Sequence, residues 1–173
     1  MFYEEWTFVD RYSDGSCNGS GEVRSKDIGT RAETAVVKLA REIGYRDAER
    51  LPLAGAADQG DVRLSRDPLV ILEVKAGKAA QDASWKQIQD WIREAQIERN
   101  NAFKARSSDR WVDFHGYLVT QRKGYGLGRV EDWCIWSIDD DRLCSCEDAW
   151  ELPPGMFPLG GFLEAMRDRW CSV

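Results

Sequence analysis

Residues 60–77 read GDVRLSRDPLVILEVKAG. Leu69 to Leu72 form an unbroken apolar run, which predicts a buried strand. Such a strand should end in turn residues. This one ends in Glu73-Val74-Lys75, and Asp61 stands twelve positions before the glutamate. Side chains alternate along a strand, so Glu73 and Lys75 share a face and Val74 takes the other. DVRLS, residues 61–65, predicts a second strand, folded back on 69–75 by the turn at Arg66-Asp67-Pro68. That hairpin places Asp61 beside Glu73, so two carboxylates and an amine converge at the sheet edge. Hard oxygen ligands of this kind suit Mg²⁺ or Mn²⁺. An ammonium beside them can orient or deprotonate a water, or neutralise charge on a phosphate. A same-face Glu–Lys pair alone is ordinary and worth little at a surface; Asp61 at a suitable distance gives it weight.

The segments around the hairpin alternate in type. TRAETAVVKLAREIG, residues 30–44, predicts a helix whose stripe is Ala32, Ala35, Val36, Leu39, Ala40 and Ile43. Thr30 is the expected N-cap and Gly44 the expected stop. Glu33 lies at the edge of the face shared with Val37 and Ala40, from where it can reach the sheet. It has two readings: a capping-box partner of Thr30, or a further acidic group of the site. Residues 45–55 predict a short strand, 83–103 a long helix striped by Trp85, Ile88, Trp91, Ile92 and Ala95, and 114–124 and 132–138 two more strands. A glycine-rich loop, 125–131, separates those strands, and 160–170 predict a terminal helix. The order is α/β: a small mixed β-sheet flanked by helices. Residues 1–28 read as an N-terminal arm or strand with an irregular loop, 29–138 as the core, and 139–173 as a C-terminal extension. GYGLG, followed by a strand rather than a helix, is not a dinucleotide fingerprint.

The net charge of −6 argues against nucleic acid at first sight. The charge is uneven, however. Residues 30–130 hold 18 Lys and Arg against 14 Asp and Glu, and the flanks hold the other 6 against 16. The basic share therefore surrounds the carboxylate motif. Arg122 and Lys123 end a strand beside the glycine loop and are candidates for phosphate contacts; a solvated basic turn is the competing reading. Lys86, Arg93 and Arg99 on the long helix are the alternative basic face. One His, His115, and five Cys without paired spacing give no zinc pattern, and reduced thiols are expected. No apolar run reaches the length of a membrane span and the N-terminus lacks a basic signal-peptide region, so a cytoplasmic protein is expected.

A helix with Glu33, then Gly60-Asp61, then a hydrophobic strand ending in Glu73-Val74-Lys75, then a helix, resembles the core of the PD-(D/E)xK nuclease superfamily, the restriction-endonuclease-like fold. More closely, GTRAETAVVKLAREIGY, GDV, VILEVKAG, WIREAQIERNNA and GYLVTQRKG make the chain similar to Holliday junction resolvase-type endonucleases of actinobacterial phages. The resemblance spans about Gly29 to Ser137, with Gly60 where the superfamily has proline. It implies a divalent metal bound by Asp61, Glu73 and the Val74 carbonyl, with Glu33 in the shell directly or through water. It implies that Lys75 activates water, and that Gln87 or Gln89 supports the site from the long helix. It also implies a DNA substrate, branched or four-way, and action in the cytoplasm of a bacterium or of a phage host. A junction has two-fold symmetry, which an isologous homodimer would match, with Trp85 and Trp91 as candidates for its seam. The alternatives are another nuclease of the superfamily, end-processing or restriction-like, and a non-catalytic acidic protein that binds a partner through a nuclease-like fold.

Overall fold

The computed structural model describes residues 25–52, 55–105, 114–138 and 156–170. Six strands form one sheet in chain order: β1 (Glu49–Arg50), β2 (Val62–Arg66), β3 (Leu69–Lys75), β4 (Phe114–Thr120), β5 (Cys134–Ser137) and β6 (Met156–Pro158). Every neighbouring pair is antiparallel except β3 and β4. A parallel pair needs a long crossover. Here it contains the short α2 (Lys78–Gln81) and the long α3 (Trp85–Ala105). The expected hairpin is present: β2 and β3 pair from Val62 opposite Leu72 to Arg66 opposite Leu69, with an irregularity between Arg63 and Ser65.

The helices divide between the two faces of the sheet. One face packs Val62, Val70, Leu72, Val74 and Val119 against Ala32, Val36, Val37 and Ala40 of α1 (Ser25–Ile43) and Leu159 and Leu163 of α4 (Leu159–Trp170). The other face packs Leu118 and Trp136 against Ile88, Trp91, Ile92 and Ala95 of α3, and Leu69 and Ile71 against Ala102. The expected mixed sheet flanked by helices is thus the observed one. Gly44 ends α1 as expected: its φ is +128°, and the amides of Gly44 and Tyr45 both donate to the Ala40 carbonyl.

Three expectations change. α1 begins at Ser25, so Ser25–Ile28 are helical rather than part of an irregular arm, and Thr30 is an interior residue. A capping box between Thr30 and Glu33 therefore does not exist; the Thr30 carbonyl accepts from Thr34 Oγ1 at 2.7 Å instead. Trp85 does not join the buried stripe of α3. It is 55% exposed, with its ring 5.7 Å from that of Trp136. Finally, the C-terminal part adds an edge strand as well as the expected helix. β6 is only three residues long and ends in proline, a pattern too short to show in sequence. Residues 1–24 and 139–155 lie outside the described residues, as do Cys17, Cys144, Cys146 and Cys171.

Candidate metal and phosphate site at the end of the central strand

Leu69, Ile71, Glu73 and Lys75 alternate onto the α3 face, and Val70, Leu72 and Val74 onto the α1 face. Glu73 and Lys75 are therefore the continuation of an apolar row, and the sheet carries them into the α3 seam. Asp61 arrives from the hairpin partner. Its backbone is held on both sides: its amide donates to Leu72 O at 3.1 Å, and its carbonyl accepts from Leu51 N at 2.8 Å. The Val74 amide then donates to Asp61 Oδ2 at 2.8 Å, which aims the carboxylate at the end of β3. Gly60 makes this path possible. Its φ is +91°, and a Cβ there would meet Ile71 Cγ2 at 2.6 Å. Proline, fixed near −65°, cannot take that conformation.

Glu73 is 6% exposed, and its two oxygens are in different states. Oε1 pairs with Lys75 Nζ at 2.7 Å. Oε2 is buried and has no hydrogen-bond partner. Burial, and then the carboxyl of Glu98 within hydrogen-bonding reach, push the Glu73 pKa up to about 8. Burial and the neighbouring charge of Glu73 push Asp61 up to about 7, despite the Val74 amide, with Glu33 adding to the rise. Burial acts to lower Lys75, but the charge and hydrogen bond of Glu73, followed by those of Glu94, outweigh it and raise the lysine. Lys75 Nζ lies 3.3 Å from Glu94 Oε2. Lys75 is held as an ammonium, a form that can orient a water or stabilise negative charge but cannot take up a proton.

The residues named from sequence are thus partly assembled. Asp61, Glu73 and Lys75 form one group at the end of β3, with the Val74 backbone bonded into it. Glu33 stands apart, on the α1 side. Arg50 donates to its Oε2 from both Nε, at 2.7 Å, and Nη2, at 2.6 Å. Glu33, Arg50 and Asp61 share the wall of an open cleft of about 560 Å³ with Gly29 and Thr30. Among the described residues, no three acidic, His or Cys groups surround a common point as a preformed metal cage would. Asp61 and Glu73 instead lie close enough to influence each other's charge, with Glu33 reaching Asp61 from α1 and Glu98 reaching Glu73 from α3. The donor set still fits a hard divalent cation: all ligand atoms are oxygens, Glu73 Oε2 lacks a donor, and Asp61 is bonded through Oδ2 only.

Gln87 and Gln89 are both exposed on the first turns of α3. The helix contacts the site through Glu94 and Glu98, about two and three turns further on, roughly 10 and 16 Å along the axis from Gln87. Glu98 was legible in principle. Trp91, Ala95, Glu98 and Ala102 follow the i, i+4, i+7, i+11 spacing of one face, and Ala95 and Ala102 are buried. A carboxylate inside a buried stripe is the signal that marks it.

Arg122 and Lys123 follow β4, whose Thr120 lies opposite Lys75. The basic turn therefore flanks the same end of the sheet as the carboxylates. Lys123 Nζ pairs with Asp82 at 3.0 Å, and the Arg122 guanidinium lies 5.0 Å from the Tyr125 ring centre, with Arg129 at 4.5 Å from the same ring. Gln121 braces this corner from a buried position. Its Oε1 accepts from Gly77 N at 2.7 Å, and its Nε2 donates to Tyr125 O at 2.8 Å. His115, the second residue of β4, lies toward the opposite end, in register with Val70 and about 16 Å from Thr120 at strand spacing. Arg99 stacks on Phe114 at 5.0 Å, and Trp91 packs in the α3 seam. No helix of the described residues is long and apolar enough to cross a membrane. No family model, no curated protein and no solved structure matches the chain.

Proposed function

We propose that the chain is a divalent-metal-dependent endodeoxyribonuclease of restriction-endonuclease-like fold that hydrolyses phosphodiester bonds in branched DNA. The observation that carries this reading is the Asp61–Glu73–Lys75 group. It consists of two adjacent carboxylates, each with an uncommitted oxygen, and a lysine held as ammonium, at a strand end beside a basic turn. Asp61 and Glu73 hold the cation, Mg²⁺ or Mn²⁺, with the Val74 carbonyl as a third oxygen. Glu33 would add a further oxygen only if freed from Arg50. When bound, the cation neutralises phosphate charge and acidifies a water. Lys75 stabilises the charge that develops on the phosphoryl oxygens and orients the attacking water. Arg122 and Lys123 hold the flanking backbone, which positions the substrate without reading sequence. A homodimer would set two such sites on a two-fold junction.

The test is cleavage of a synthetic four-way junction, a flap and a linear duplex, each with Mg²⁺ and with excess EDTA. Metal-dependent cleavage with preference for the junction supports the reading. Cleavage of the linear duplex or flap alone assigns an end-processing or restriction-like nuclease. Cleavage of none of them, with Mg²⁺ or Mn²⁺, leaves a partner-binding protein.

A further inference from the structure

We propose that Glu98 is a ligand of the site's divalent cation, supplied by α3 and acting together with Glu73. The inference rests on the metal-dependent reading above and extends it to a residue outside the hairpin.

Three observations carry it. Glu98 occupies the buried stripe of α3 between Ala95 and Ala102, where an apolar side chain would pack without cost. Its carboxyl lies within hydrogen-bonding reach of that of Glu73, and Oε2 of each residue is buried with no hydrogen-bond partner. Glu73 itself is 6% exposed, so water does not serve its orphaned oxygen freely. Two facing carboxylates without a donor require a shared proton or a cation between them. Lys75 does not fill that place, because its ammonium is engaged by Glu73 Oε1 and Glu94 Oε2. Glu33, by contrast, is already neutralised by Arg50. The acidic group that most needs a cation at Glu73 therefore comes from α3.

Mn²⁺ titrated calorimetrically into the full chain tests this, comparing wild type with Glu98→Gln, Glu98→Asp and Glu94→Gln. Glutamine keeps the size of Glu98 and can donate to Glu73 Oε2. A Glu98 that only shares a proton with Glu73 would lose nothing by the change. A ligand role predicts at least ~10-fold weaker Mn²⁺ binding in Glu98→Gln, the scale of altered metal surroundings, and partial recovery in Glu98→Asp, which keeps the charge. Glu94→Gln should change affinity by less than ~5-fold, the scale of an exposed ion pair. Melting of Glu98→Gln in EDTA at or above the wild-type temperature shows that it is folded. Unchanged affinity in Glu98→Gln overturns the inference and leaves the metal reading intact. No Mn²⁺ binding by the wild type overturns both.

Discussion

The two faces of the sheet are built on different chemistry, although β3 supplies both. Toward α1 and α4 it presents Val70, Leu72 and Val74, all sealed in a continuous apolar core. Toward α3 it presents Leu69 and Ile71, then Glu73 and Lys75 against Glu94 and Glu98. The first face is sealed from water and organised for stability; the second buries Glu73 but leaves Glu94 open to solvent. Burying carboxylates with an oxygen unpaired is costly, and apolar residues of the same volume would pack better. The α3 end of the strand is therefore where the fold gives up stability, and a site is where such a cost is expected.

The contrast predicts opposite responses to substitution. The largest change in stability belongs to the α1 face. Leu72→Ala removes a fully buried side chain and should cost ~2–5 kcal/mol in denaturant unfolding, while the fraction still folded binds Mn²⁺ normally. A cost under ~1 kcal/mol would mean this face is not the tightly packed one.

On the α3 face the sign reverses. Glu73→Gln removes a carboxyl whose pKa is raised to about 8, above the ordinary 4.5. A carboxyl raised on folding binds more protons in the native state, so its stabilising contribution is complete below the ordinary pKa. That contribution is lost as pH rises through about 7 and 8, the values of Asp61 and Glu73. In EDTA the wild type should therefore melt lower at pH 8.5 than at pH 5.5. Glu73→Gln should flatten that dependence and melt about 2–4 °C above wild type at pH 8.5, the shift of ~1 kcal/mol in a chain of this size. Mn²⁺ should stabilise the wild type more at pH 8.5 than at pH 5.5 and do little for the variant. A lower melting temperature for Glu73→Gln at pH 8.5 would show that its ion pair with Lys75 outweighs the burial cost.

The smallest effect concerns the basic turn. Replacing Arg122 and Lys123 with alanine should weaken junction binding. It should also flatten the dependence of log affinity on log salt by roughly one unit for each phosphate no longer neutralised. Mn²⁺ binding should not change. An unaltered slope would move the DNA-binding surface to Lys86, Arg93 and Arg99 of α3.

The hairpin and its consequences were legible because they depend on local rules. Alternation put Glu73 and Lys75 on one face, and a short turn at Asp67-Pro68 fixed Asp61 beside them. Gly44 announced the end of α1 for the same reason, since few residues accept its φ. The start of α1 was not legible, because Thr30 and Glu33 carry a capping pattern that the preceding residues override by continuing the helix. The pairing of Glu33 with Arg50 was hidden because it joins a helix to a two-residue strand. Glu98 was legible as the interruption it makes in the stripe of α3, but its meeting with Glu73 was hidden by the length of the crossover.

The most direct test of a strand-end nuclease site is cleavage of a labelled four-way junction by wild type and by Lys75→Ala, in Mg²⁺ and in excess EDTA, with junction binding measured alongside. Lys75 contacts Glu73 and Glu94 at the end of β3, and its loss leaves the carboxylates in place. The wild type should cleave in Mg²⁺ only. Lys75→Ala should cleave at least ~10²-fold more slowly with binding retained, the scale of a removed catalytic group. Cleavage at the wild-type rate by Lys75→Ala, or equal cleavage in EDTA, would contradict that role and leave the strand-end group a structural ion pair.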